Sequence, residues 1–80
     1  MSAVASVTFD FDGTENSFKA LYDGISDLDL DIAAYHEDTT GIIEFMVDDF
    51  STFSEQVAKR SAELGVNLVA HDYLLSEPKT

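Results

Sequence analysis

The sequence predicts an α+β fold built as strand, helix, strand, strand, helix, strand. Two observations lead there. Apolar residues alternate with period two in four stretches, and between them two stretches switch to the helical period. Both helices must also cover the same sheet face, because that face has no other apolar cover. The right-handed crossover rule then favours a split pair of βαβ units, a four-stranded antiparallel sheet with two helices on one face. The other face stays open.

The first strand is "VASVTFDF", residues 4–11, with Ala5, Val7, Phe9 and Phe11 on one side. In "TENSFKALYDGI" the apolar residues Phe18, Leu21, Tyr22 and Ile25 recur at i, i+3, i+4 and i+7, one helical stripe. Thr14 or Asn16 supplies the N-cap oxygen, and Gly24 offers a left-handed stop. "DLDLDIAAYH" returns to period two, with Leu28, Leu30, Ile32 and Ala34 on one side and Asp27, Asp29, Asp31, Ala33 and Tyr35 on the other. "EDTTG" is a turn by composition, and "IIEFMVD" is the return strand, with Ile43, Phe45 and Val47 towards the core.

"DDFSTFSEQVAKRSAELG" is the second helix. Asp48, Asp49 and Ser51 crowd its start, Lys59 and Arg60 lie towards its end, and Gly65 closes it. Its buried stripe is Phe50, Phe53, Val57 and Leu64. "VNLVAHDYLL" is the last strand, and residues 76–80 form a frayed tail. Residues 1–80 are a single domain, and Phe9, Phe45, Phe53 and Leu64 are expected in its core. The order is that of a ferredoxin-like domain.

Sixteen Asp and Glu face four Lys and Arg, a net charge of −12. A folded chain of this mass exposes roughly 4,800 Å², so carboxylates are dense on its surface. Such a field repels nucleic acid and anionic membranes and attracts basic protein surfaces. Self-repulsion is expected to make added salt stabilising. There is no Cys, hence no thiolate chemistry, and no apolar run of transmembrane length. The N-terminus lacks the basic region of a signal peptide. The expected location is the cytoplasm, or a host's cytoplasm for a phage-encoded chain.

"DFDGT", residues 10–14, resembles the opening motif of the haloacid-dehalogenase-type phosphatases. That resemblance would make Asp10 the nucleophile and Asp12 the proton carrier beside a bound magnesium. The remaining parts are missing. Lys19 and Lys59 fall inside predicted helices, Lys79 in the tail, and the chain is too short for a helix-flanked parallel sheet. The motif reads instead as a strand-to-helix turn. His36 and His71 have no neighbour at metal-ligand spacing. No enzymatic activity, no cofactor and no dedicated metal site is expected.

"DLDLDIAAYHEDTTGIIEFMVDD", with a helix and "GVNLVA" after it, resembles the ACT domains, regulatory modules of the same βαββαβ order. The resemblance implies a fold and a small ligand sensed beside the turn before the first helix. That family's turn is Asp-x-Pro-Gly; here Asp10 and Gly13 keep the frame and Asp12 replaces proline.

Asp27, Asp29 and Asp31 lie at i, i+2 and i+4. On a strand they would form a row spaced about 6.7 Å, with Asp23 nearby, a crude imitation of a phosphate backbone. As edge-strand charges they would also guard against aggregation. Glu37, Asp38, Glu44, Asp48 and Asp49 extend the field, as do Asp10, Asp12 and Glu15. The open sheet face is expected to carry Tyr35, Met46, Val69, His71 and Tyr73, the mixture found at the centre of protein interfaces. A second copy of the chain is the other occupant that such a face suggests.

The function expected is therefore a small acidic non-enzymatic binding protein that occupies a basic, nucleic-acid-binding surface of a partner protein. In size and charge the chain is similar to phage-encoded inhibitors such as anti-CRISPR proteins and nucleic-acid mimics. The alternatives are a free-standing ACT-like domain sensing a small ligand, and a domain whose acidity is salt adaptation.

Overall fold

The computed structural model of the chain describes residues 3–73, with the side chains of Ala3 and Tyr73 left aside. The tail expected at 76–80 lies outside the described residues. Six elements follow in the predicted order: β1 (Ala3–Asp10), α1 (Glu15–Ile25), β2 (Leu30–Glu37), β3 (Thr40–Val47), α2 (Phe50–Leu64) and β4 (Val69–Tyr73). The strands form one antiparallel sheet in the order β2-β3-β1-β4, which is the ferredoxin-like order. β1 and β3 pair along their whole length, from Ala3↔Val47 to Asp10↔Thr40, and β2 and β4 are the edges.

The helices sit where their caps and stripes direct. Thr14 caps α1 in extended backbone conformation, and its Oγ1 accepts the Ser17 N–H. Asp49 caps α2 through the Ser51 N–H and the Thr52 hydroxyl. Gly65 ends α2 in the left-handed conformation, φ 69°, as the sequence predicts. Phe18 and Ile25 of α1 and Phe53 and Val57 of α2 are buried against Ala5, Val7 and Phe9 of β1 and Ile43, Phe45 and Val47 of β3. Phe45 and Phe53 meet across the layers at 5.1 Å between ring centroids. Ser61 ties the end of α2 to the approach to β4: its hydroxyl donates to the Val66 carbonyl and accepts the Leu68 N–H.

Three expectations fail in detail. Gly24 does not stop α1, which runs on to Ile25 and is capped at Ser26. A Cβ at Gly24 would come within 3.2 Å of Leu64 Cδ1, so this glycine serves the close approach of the two helices rather than a turn. Leu64 is correspondingly not core: it leans on Gly24 at the end of α2 and is 39% exposed, while Leu68 is buried in its stead.

The third failure is the register of β2. Asp31 pairs with Phe45 and Ala33 with Glu44, so Ile32 is an extra residue in a β-bulge. A bulge reverses the alternation on its two sides. Leu30, predicted for the core, lies opposite Met46 on the open face and is 64% exposed. Asp31, predicted for the open face, stands opposite the core residue Phe45, towards the helices. Asp27 and Asp29 are not on the strand at all, because β2 begins at Leu30.

Candidate partner-binding surface

The row of aspartates does not form. Asp27 lies in the turn after α1, where its Oδ1 accepts from Arg60 Nη1 at 2.7 Å. That bond holds its carboxyl below the usual carboxylate range. Asp29 accepts the N–H of Leu30, at the start of β2. Asp31 is half-buried and accepts the Tyr22 hydroxyl at 2.6 Å, which pushes that phenol above its ordinary value. Three carboxylates expected to project together thus have three separate structural partners. Asp23 stands apart on α1.

The "DFDGT" loop is accounted for in similar terms. Asp12 Oδ1 accepts the Thr14 N–H at 2.9 Å and the Thr14 hydroxyl at 2.7 Å, and Oδ2 accepts the Ser17 hydroxyl at 2.9 Å. Asp12 therefore acts as a second cap on α1, and these bonds, the Thr14 N–H first, hold its carboxyl below 3.8. Its stabilising contribution is present above that ordinary value and is lost as pH falls through the depressed one. Asp12→Ala is expected to lower Tm at neutral pH, with the gap to wild type closing as melts are taken down into the acid range below the ordinary carboxylate value. A gap that stays constant across that range would contradict the assignment.

Close to this loop, His36 sits among Phe11 (5.3 Å), Phe18 (4.8 Å) and Glu15, whose Oε1 is 3.4 Å from Nε2. Sequence reasoning missed this aromatic cluster, although Phe9, Phe11 and Phe18 bracket the turn in the chain. Among the described residues, no group of three or more His, Cys, Asp or Glu is placed to hold a metal ion. Among them, too, no helix is long and apolar enough to cross a membrane.

The open face is the coherent surface. Register assigns it in rows across the strands. Leu30, Met46 and Val4 form one row; Ala33, Glu44, Ser6 and His71 the next; Tyr35, Ile42, Thr8 and Val69 the third. Tyr35 and Val69 are 45% and 43% exposed, Met46 is half-buried and His71 exposed, so four of the five expected face residues are where the alternation put them. Tyr73 pairs with Val4, but its side chain lies outside the described residues. Two polar pairs fix the surface: the Tyr35 hydroxyl donates to Glu44 Oε2 at 2.8 Å, and Thr8 Oγ1 lies 3.2 Å from His71 Nε2.

Carboxylates close the face at both strand ends. Asp10, Glu37 and Asp38 gather where β1 ends and the β2–β3 hairpin turns, with Asp38 in the left-handed region at φ 53°. Asp29, Asp48 and the cap Asp49 lie at the opposite end, beside Leu30 and Val47. The described Lys and Arg residues, Lys19, Lys59 and Arg60, all lie on the helices, in the layer behind the sheet. Arg60 is occupied there by Asp27, Glu63 and the Gly24 carbonyl. No family model, characterised protein or solved structure matches the chain.

Proposed function

We propose that the chain is a small non-enzymatic binding protein that occupies a basic, nucleic-acid-binding surface of a partner protein. The observation that carries this reading is that no described Lys or Arg stands in the sheet layer, while the helices carry acids, Glu15, Asp23, Glu55 and Glu63, beside their bases. The described Lys and Arg side chains stand on the helices, whereas the open sheet face presents apolar rows, one central carboxylate, Glu44, and acids at both ends. Complementary charge steers encounter, and the exposed apolar side chains supply contact area. The geometry shifts the weight of the proposal from Asp27, Asp29 and Asp31 to Asp10, Glu37, Asp38, Glu44 and Asp48. In character this is the behaviour of small acidic inhibitors such as the anti-CRISPR proteins.

The test is affinity capture with nuclease present, followed by competition. A captured basic protein is expected to lose its labelled nucleic acid as this chain is added, in stoichiometric fashion. A captured protein that holds the chain and its nucleic acid together would contradict the reading. The competing ACT-like reading places a small ligand beside the Asp10–Thr14 turn, where Asp12 is already engaged by Thr14 and Ser17. Calorimetric titration with free amino acids separates the two, since the binding-protein reading expects no heat from any of them.

A further inference from the structure

We infer that the open sheet face is a seat for a basic amphipathic α-helix of the partner, laid along β3 and β1. The inference rests on the proposed function and names the partner's chemistry. Along β3 the face reads Met46, Glu44, Ile42, Thr40, and along β1 it reads Val4, Ser6, Thr8, Asp10. Same-face residues on a strand recur every ~6.7 Å, close to the ~6 Å rise between helix residues i and i+4. A helix lying there would meet an apolar side chain, then a carboxylate, then an apolar side chain on successive turns. Its own stripe must therefore read apolar, basic, apolar, and both of its ends would run into carboxylates: Asp10, Glu37 and Asp38 at one, Asp29 and Asp48 at the other. The four strands span about 14 Å between the outer two, room for one helix of 10–12 Å diameter.

Charge selects this occupant over the others. A second copy would bring its own Glu44 and end carboxylates against the same groups, with −12 on each chain. An extended peptide would add to an edge, where β2 is interrupted by the bulge at Ile32 and β4 offers only the five residues Val69–Tyr73, and it would leave the rows of the open face uncovered. A purely basic segment would leave Met46, Ile42 and Val69 without apolar partners.

The probe is a synthetic Leu/Lys peptide of about 18 residues whose contacting stripe reads leucine, lysine, leucine on successive turns, with lysines on the opposite side, long enough to run the length of β3. A peptide of the same composition in scrambled order is the control. Methyl NMR reports the site, with Met46 and Ile42 on the open face and Ala58 and Ala62 on the exposed side of α2. Saturable shifts are expected at Met46 and Ile42 but not at the two alanines, with affinity at least about tenfold above that of the scrambled peptide. Ile42→Lys is expected to remove most of the binding. Glu44→Gln, which keeps size and can still accept from Tyr35, is expected to weaken it about fivefold, consistent with loss of one charge pair. Equal binding of both peptides, or shifts centred on α2, would overturn this seat while leaving the acidic-binder reading standing. Failure of every basic probe to bind anywhere would overturn both. Concentration-dependent self-association that blocks the face would assign it to a second copy instead.

Discussion

Phe45→Ala is expected to cost about 3–5 kcal/mol and to bring the domain to the edge of unfolding. Phe45 is fully buried in β3, paired with Ala5 on one side and Asp31 on the other. Its ring meets Phe53 of α2, which in turn touches Phe50. Truncation therefore opens a cavity at the junction of the sheet and α2, lined by side chains held from both layers. β3 is bonded on both edges, so little backbone movement is open to it that would close the gap. The same reasoning gives Phe53→Ala a comparable cost. Chemical denaturation measures both, and a midpoint unchanged from wild type would show that the layers do not meet through these rings.

Gly41→Ala is the second large effect, with the opposite physics. Gly41 pairs with Phe9, and the Phe9 ring lies over it, so that an added Cβ would overlap the ring. This is an aromatic side chain covering a strand glycine. Phe9 cannot simply turn aside: it stacks on Phe18 at 6.0 Å and meets Phe11 edge-on at 5.9 Å, and these in turn enclose His36. Overpacking of this kind costs about 1–3 kcal/mol, and the displaced ring is expected to disturb the α1 start as well. The check is the denaturation midpoint together with the His36 ring proton shifts. Wild-type values for both would contradict the packing described for Phe9.

The order of elements was legible because the apolar period changes cleanly at each junction. Ala5, Val7 and Phe9 alternate, Phe18, Leu21, Tyr22 and Ile25 recur at helical spacing, and Ile43, Phe45 and Val47 alternate again. The bulge was not legible. Nothing in "LDIAAY" distinguishes a strand that alternates throughout from one with an extra residue at Ile32, yet that residue decides which of Leu30 and Asp31 meets solvent. Leu64 carried a correct stripe position into a wrong burial, because the approach of α1 at Gly24 depends on contacts remote in the chain. Val4 and Ile42 belong to the open face and were within reach, since each alternates with residues already placed in the core. The engagement of Asp27 by Arg60, 33 residues away, carries no local signal.

Under the proposed function, the acids framing the open face draw in a basic partner. Association kinetics of the captured partner with the variant carrying Asp10→Asn, Glu37→Gln and Asp38→Asn measure that attraction. All three side chains are exposed, and asparagine tolerates the left-handed backbone at 38. The fold is expected to survive, with Tm equal or higher as like charges are thinned. At about 0.05 M salt the association rate is expected to fall roughly tenfold, with a smaller difference at about 0.5 M and little change in dissociation. Association rates equal to wild type at both salt concentrations would show that these acids do not steer the partner.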